Sequence, residues 1–149
     1  MIIGIGVDIV EVSRIQKMID EYGNDDTVGT YCLCPDDNTN GISNTPLQKI
    51  WTAEEIDYCN SFGKRKYEHF AARFAIKEAF SKAIGTGLSS SFSFCDVSVI
   101  NLETGKPQLV LSDKIKGLFS EHSIHISISH TEQNAVGVVV IEKSDVANR

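Results

Sequence analysis

Hydrophobic and polar residues alternate along the first ten positions of the chain. Every second position from Ile3 to Ile9 is branched and apolar, whereas the positions between them are Gly4, Gly6 and Asp8. This period of two predicts a β-strand over residues 2–10. Because the two glycines leave one face of the strand almost bare, a neighbouring element can approach it closely. Asp8 lies on that same face, near the end of the strand.

A second pattern, over residues 70–85, has the period of an α-helix. At about 100° per residue, Arg73, Lys77 and Ser81 fall in one narrow sector, and Glu78 and Lys82 follow within the same half-turn. The opposite side is small and apolar, and it is the predicted occupant of the glycine face of the first strand. A helix that carries several cations and one carboxylate on one side suits the binding of an anion. The alternative interpretation is an ordinary amphipathic helix whose Glu78–Lys82 pair is solvated.

The other predicted elements are shorter. In chain order they are a helix over 13–22 capped by Ser13, a helix over 52–61 opened by the capping box Thr52-Ala-Glu-Glu55, strands over 97–100 and 108–111 joined by the turn Glu103-Thr-Gly-Lys-Pro107, a short helix capped by Ser112 with Ile115, Leu118 and Phe119 inward, and strands over 124–130 and 135–141. Strands and helices mix without regular βαβ alternation. The predicted class is therefore α+β, with a mostly antiparallel sheet packed on a long central helix.

Length and composition narrow the functional classes. A chain of 149 residues suits one domain, and the net charge of −6 argues against a general nucleic-acid binder. No apolar run approaches the roughly 18 residues of a membrane span, and the N-terminus lacks the basic region of a signal peptide, so a cytoplasmic location is expected. Segment 62–82 concentrates cations in this acidic protein, which indicates that they face a defined anion.

The four cysteines do not predict a metal centre. Cys32 and Cys34 form the only close pair, while Cys59 and Cys95 lie far from it in sequence. A structural zinc ion needs four convergent ligands, and no second close pair of cysteines completes a common pattern. The thiols are therefore interpreted as reduced.

Three groups of residues remain as candidates for chemistry: Asp8 at a strand end, the helix residues from Arg73 to Lys82, and His130-Thr131 at the end of another strand. Two carboxylates, Asp8 and Glu78, are the oxygen ligands that Mg²⁺ takes when it also binds substrate phosphates. A single histidine ending a strand is more often structural. Spacing alone therefore supports no more than a magnesium–phosphate site.

Three ordered segments extend this reading: Gly4-Ile-Gly-Val-Asp-Ile-Val-Glu-Val-Ser-Arg-Ile15, Phe70-Ala-Ala-Arg-Phe-Ala-Ile-Lys-Glu-Ala-Phe-Ser-Lys-Ala83 and Ile126-Ser-Ile-Ser-His-Thr131. They resemble the three signatures of the holo-acyl-carrier-protein synthases, which are small 4′-phosphopantetheinyl transferases. The resemblance covers nearly the whole chain. It implies a single domain over residues 1–149. It departs from the family at about 24–47, where the chain carries an insertion that contains Cys32 and Cys34.

The resemblance implies a reaction and roles. Such enzymes transfer 4′-phosphopantetheine from coenzyme A to a serine of apo acyl carrier protein in fatty acid biosynthesis, releasing adenosine 3′,5′-bisphosphate. Asp8 and Glu78 match the ligands of Mg²⁺, Glu78 matches the base that acts directly or through a water, and Lys82 matches a catalytic lysine beside the phosphates. Family members are trimers with sites shared between subunits.

The remaining matches concern ligands and partners. The expected coenzyme A contacts are Lys64, Arg65, Arg73, Ser81, Lys82, Pro107, His130 and Thr131, and Arg14 matches a contact to the carrier protein. Two other functions stay open: a magnesium-dependent hydrolase of nucleotides that uses the same carboxylates, and a non-catalytic protein whose cationic helix binds an acidic partner.

Overall fold

The computed structural model describes residues 1–22, 46–85 and 92–144 and contains two antiparallel sheets around one long helix. The elements are β1 (Ile2–Glu11), α1 (Val12–Tyr22), α2 (Ala53–Asn60), α3 (Lys66–Ile84), β2 (Val97–Asn101), β3 (Pro107–Leu111), α4 (Asp113–Lys116), β4 (His122–His130) and β5 (Asn134–Lys143). The first sheet has the order β1-β5-β4, and the second pairs β2 with β3. The predicted α+β class is confirmed, with the strands divided between two sheets.

Helix α3 lies directly on the three-stranded sheet because glycines remove the side chains between them. A Cβ atom at Gly4 or Gly6 would overlap the backbone carbonyl oxygens of Ala83 and Ala79, respectively. A Cβ atom at Gly137 of β5 would lie 2.7 Å from the carbonyl carbon of Ala75. The alanine-rich side of the helix is thus the occupant of the glycine face, as the sequence predicts.

Apolar residues on both sides of α3 complete the core. Phe70 and Phe74 at its N-terminal half contact the fully buried Trp51, whose indole N–H donates to the Phe70 carbonyl at 3.3 Å. Phe80 belongs to a second buried group that also contains Val97. α3 ends where Gly85 adopts a φ of 73°, the left-handed conformation that glycine tolerates at a helix C-terminus.

Several boundaries and side-chain directions differ from the predictions. α3 begins at Lys66 rather than at 70, and α1 begins at Val12, which places Ser13 inside the first turn rather than at the N-cap. Ser112 does precede α4, but its hydroxyl donates to Asp96 Oδ1 at 2.8 Å instead of capping the helix.

Leu118 is 71% exposed, so the prediction that it faces inward is wrong. The four residues of α4 and the 3₁₀ turn Gly117–Phe119 that follows do not hold it on the buried side. The predicted insertion at 24–47 lies outside the described residues except for its last two positions. Cys32 and Cys34 lie outside them as well.

Gly6→Ala is expected to destabilise the protein by about 3 kcal/mol or more, because overpacking against backbone cannot be relieved by a rotamer change. The measurement is urea unfolding. The control is Gly117→Ala, since a Cβ there meets nothing within 4 Å and the residue has an ordinary helical φ of −62°. A loss at Gly6 no larger than that at Gly117 would contradict the close approach of α3.

Candidate active site

Two acidic residues and a lysine converge where β1 passes the C-terminal half of α3. Asp8 lies near the end of β1, and Lys82 Nζ is 2.7 Å from its Oδ1 and 3.1 Å from the carbonyl oxygen of Val7. The Asp8 side chain is 17% exposed and the Lys82 side chain 54%, so the pair borders solvent. An incoming phosphate can therefore reach Lys82.

Glu78 is the second carboxylate of this group, one helical turn before Lys82. Partial burial raises the pKa of Glu78, and the neighbouring Asp8 charge raises it further, while Lys82 and Arg14 act in the opposite direction. Four predicted site residues from β1, α1 and α3 are thus within electrostatic reach of one another. The net effect is a raised pKa, so the site disfavours the charged form of Glu78 when no ligand is bound.

A cavity of about 240 Å³ opens beside the N-terminal half of the same helix. Its walls come from α2, α3, the β2–β3 hairpin and the end of β4, and they include Tyr58, His69, Arg73, Asn101, Pro107 and His130. Three of these residues, Arg73, Pro107 and His130, are predicted coenzyme A contacts. The fold thus brings together predicted contacts that are up to 57 positions apart in the sequence.

Arg73 forms part of the cavity wall and is only 2% exposed. Its Nη2 donates to Asn101 Oδ1 at 2.8 Å, and its guanidinium carbon lies 4.1 Å from the centre of the Tyr58 ring. Its Nε is buried and has no hydrogen-bond partner among the described residues. Arg73 is therefore a fixed cation whose Nε–H has no acceptor among the described residues, rather than a mobile side chain at the surface.

His130 and Arg65 meet at one carboxylate. His130 Nδ1 is 3.0 Å from Glu68 Oε2, and Arg65 Nη2 is 3.1 Å from the same oxygen. The hydrogen bond from Arg65, together with the charges of Arg65 and His130, lowers the pKa of Glu68 despite its partial desolvation. Lys64, in the turn before α3, is exposed.

His69 is a cavity residue that sequence reasoning missed. Its ring stacks on Phe62 at 3.6 Å and meets His130 edge-on at 5.3 Å. Burial lowers the pKa of His69 to about 4, and the charges of His130 and Arg73 add to this effect, so the ring is neutral at physiological pH. Nothing in its spacing distinguished His69 from an ordinary helix residue.

Other predicted contacts point elsewhere within the described chain. Ser81 is 2% exposed, on the same buried side of α3 as Lys77, which is not exposed at all. The idea that one half of the helix presents cations to a ligand is therefore wrong for Lys77. Thr131 is exposed, and its hydroxyl oxygen accepts from the backbone N–H groups of Gln133 and Asn134 at 3.2 and 3.1 Å, which stabilises the β4–β5 turn.

Glu78→Gln is expected to raise the thermal midpoint of the metal-free protein at neutral pH. A carboxyl group whose pKa is raised by folding stabilises fully below its unfolded pKa and loses that contribution as pH rises through the folded pKa. The gain should therefore disappear at a pH below the ordinary glutamate pKa. Calorimetry at both pH values checks this, with the exposed Glu121→Gln as control. If the variant and the wild-type protein had equal thermal midpoints at neutral pH, the charge of Glu78 would not destabilise the folded protein.

Comparison with known proteins shows the family. The sequence model of the 4′-phosphopantetheinyl transferase superfamily matches residues 4–139. A holo-[acyl-carrier-protein] synthase of Geotalea daltonii is 38% identical over 96% of this chain and its own full length, and one of Bacillus cereus is 40% identical over 97% of this chain and 98% of its own.

Solved structures agree with the sequence comparisons. The holo-(acyl-carrier-protein) synthase of Bacillus anthracis, solved in complex with CoA (3′,5′-ADP), has a TM-score of 0.70 at 38% identity and covers 97% of this chain and 99% of its own. The holo-[acyl-carrier-protein] synthase of Neisseria meningitidis has a TM-score of 0.74 at 30% identity. The match covers 96% of this chain and 100% of that chain. The chain belongs to the 4′-phosphopantetheinyl transferase superfamily and, within it, to the holo-acyl-carrier-protein synthase type.

Proposed function

We propose that this protein transfers 4′-phosphopantetheine from coenzyme A to a serine of apo acyl carrier protein in fatty acid biosynthesis, releasing adenosine 3′,5′-bisphosphate. The observation that carries the proposal is the convergence of Asp8, Glu78 and Lys82 on the helix that also lines the cavity. Arg73 and Glu78 are five residues apart, which is about 7.5 Å along a helix. Because five residues also correspond to about 140° around the helix axis, a ligand that extends from the cavity to the acid pair, Asp8 and Glu78, has to pass around the helix.

The cavity has the chemistry of a site for the adenosine bisphosphate part of coenzyme A. Arg73 offers a buried cation and a free Nε, and the rings of Tyr58, His69 and His130 provide surfaces against which a base can pack. Arg65 and the exposed Lys64 lie at the N-terminal end of the same helix, where they can contact outer phosphates. Ser81, Pro107 and Thr131 remain predicted contacts.

Asp8 and Glu78 would hold Mg²⁺. The raised pKa of Glu78 next to Asp8, and the Lys82 ammonium at 2.7 Å from Asp8, indicate that this position favours a cation. Mg²⁺ commonly binds through one or two carboxylates and takes further oxygen ligands from substrate phosphates and water. When bound, Mg²⁺ would neutralise charge on the pyrophosphate.

The protein groups then have distinct tasks. The carrier serine oxygen attacks the phosphorus that bears the pantetheine, and the bond from that phosphorus to the bridging oxygen breaks. Glu78, directly or through a water that it holds, takes the serine proton. Lys82 donates a hydrogen bond or a proton to the departing oxygen of adenosine 3′,5′-bisphosphate, after exchanging its contact with Asp8 for one with the phosphate.

A homotrimer is the proposed assembly. The outer face of β1 exposes four branched side chains, with exposed fractions of 50% for Ile3, 63% for Ile5, 55% for Val7 and 65% for Ile9. A contiguous apolar face of this kind indicates a protein interface. The cavity is also smaller than the roughly 300–1,000 Å³ usual for ligand sites, which supports a site completed by a neighbouring subunit.

Partner and location follow the same proposal. Arg14 is exposed on α1 and close enough to Glu78 to affect its pKa, so a carrier protein bound there would present its serine near the acid pair. In the described residues, no helix has the length and apolarity required to cross a membrane. The cytoplasmic location and the single domain over residues 1–149 remain predictions from the sequence.

The transfer is tested by incubating apo acyl carrier protein with coenzyme A and Mg²⁺ and weighing the carrier by mass spectrometry. We expect a gain of one phosphopantetheine per carrier. Asp8→Asn and Glu78→Gln should each lower the rate by about 100-fold or more, since losing a few kcal/mol of charge stabilisation has that effect. Glu121→Gln is the control and should retain the full rate.

Other outcomes of this experiment would indicate a different function. Cleavage of coenzyme A without any change in the carrier would indicate a hydrolase, and binding of carrier without reaction would indicate an interaction protein. Full turnover of both acid variants, with transfer observed, would contradict the metal assignment alone. Sedimentation of the free protein as a monomer at micromolar concentration would contradict the trimer.

A further inference from the structure

A buried ion pair lies behind the wall of the cavity. Lys77 Nζ is 2.8 Å from Glu55 Oε2, and neither side chain is exposed to solvent. The ammonium group also donates to the carbonyl oxygens of Phe94, at 2.9 Å, and Val97, so its three N–H groups all have acceptors. Because desolvating two charges offsets most of their attraction, such a pair is weak evidence for stability.

The Glu55 carboxylate contacts three elements of the fold. Its Oε2 accepts from Thr52 N–H at 2.9 Å at the start of α2, and its Oε1 accepts from Val99 N–H at 2.9 Å in β2. Through Lys77 it also binds α3. The pair therefore fixes α2, α3 and β2 relative to one another at a single point.

Each of these elements also contributes to the wall of the cavity, with a wall residue close in sequence to its contact with the pair. The matched positions are Glu55 with Tyr58 in α2, Lys77 with Arg73 in α3, and Val99 with Asn101 in β2. Separations of three and four residues place side chains on the same side of a helix, as for Glu55 with Tyr58 and Lys77 with Arg73. In β2, Asn101 follows two residues after the backbone N–H of Val99 that binds Glu55. Arg73 in turn contacts both of the other wall residues.

We propose that the Glu55–Lys77 ion pair is a positioning device for coenzyme A, which sets the separation of Tyr58, Arg73 and Asn101 and thereby the shape of the nucleotide cavity. The inference rests on the proposed function. It assigns the pair to binding rather than to the chemical step, because Glu55 and Lys77 lie three and four positions from the wall residues Tyr58 and Arg73. Their side chains form no hydrogen bond or ion pair with Asp8 or Lys82 in the described part of the chain. Loss of the pair should therefore affect coenzyme A affinity more than turnover at saturation.

The test is the double variant Glu55→Gln/Lys77→Met, which removes both charges and preserves side-chain size. We expect the KM for coenzyme A to rise about tenfold or more while kcat at saturating coenzyme A stays within about threefold, a difference in binding free energy of about 1.4 kcal/mol. The Kd of adenosine 3′,5′-bisphosphate, measured by calorimetry, should rise by the same factor. Circular dichroism verifies that the variant is folded.

Glu55→Gln alone provides a second variant if the double variant does not fold, since its carbonyl oxygen still accepts a hydrogen bond from Lys77. It should also weaken binding of adenosine 3′,5′-bisphosphate in the folded protein. The matched control is Asp96→Asn: that carboxylate is 2% exposed and accepts from Ser93 N–H at 2.7 Å, but it lines no part of the cavity. The Asp96→Asn variant should lose stability and keep the wild-type KM for coenzyme A.

The possible results separate the two proposals. If the wild-type protein neither binds adenosine 3′,5′-bisphosphate nor modifies the carrier, the proposed function is wrong. If the wild-type protein does both and the folded Glu55 variants keep its KM and Kd, the positioning role is wrong. An equal rise in KM for Asp96→Asn would also overturn it, because any buried polar substitution would then have the same effect.

Discussion

The close approach of α3 to the three-stranded sheet is the constraint on which the rest of the structure depends. Side chains at Gly4 and Gly6 would overlap the helix backbone, and Gly137 makes a similar contact from β5. With no side-chain layer between them, the helix and β1 bring two acidic residues from distant parts of the sequence to the same place. Asp8 follows Gly6 on the face of β1 that meets the helix, and Glu78 precedes Ala79 on the helix. The close packing at the glycines therefore also determines where Asp8 and Glu78 lie.

The opposite side of the same helix is held by polar contacts. Lys77 is bound by Glu55 and by two backbone carbonyls, and Arg73 by Asn101 and the Tyr58 ring. α3 thus presents two kinds of contact: a bare apolar surface toward the three-stranded sheet, and buried cations toward α2 and the two-stranded sheet. The acid pair lies at the border between these sides, near solvent, where a charged substrate can reach it.

Much of this arrangement could be predicted from local patterns. The strand alternation, the capping box at Thr52 and the C-terminal Gly85 depend on neighbours within a few residues, and all three are present in the structure. The match of the glycine face to the alanine-rich side was predictable because only steric size was required. Placing the candidate chemistry in one family needed the ordered motifs, since spacing alone could not relate Asp8 and His130 to the residues of α3.

The parts that could not be predicted depend on partners distant in sequence. Helical periodicity places Lys77 in a sector with Arg73, but it does not reveal a buried carboxylate 22 residues earlier that turns this sector inward. The sequence likewise gives no sign that the Glu68 carboxylate joins Arg65 to His130, because these two residues are 65 positions apart. Leu118 was misplaced because four residues of helix give too little periodicity to fix a direction.

The central claim is that the glycine contacts place Asp8 and Glu78 for joint binding of one divalent cation beside the pyrophosphate of coenzyme A. The most direct test is a crystal structure with coenzyme A and Mn²⁺, using the anomalous signal of manganese to locate the ion. The account predicts one peak that is coordinated by a carboxylate oxygen from each of these residues and by phosphate oxygens. A peak bound to only one of the two carboxylates, or to neither, would contradict it.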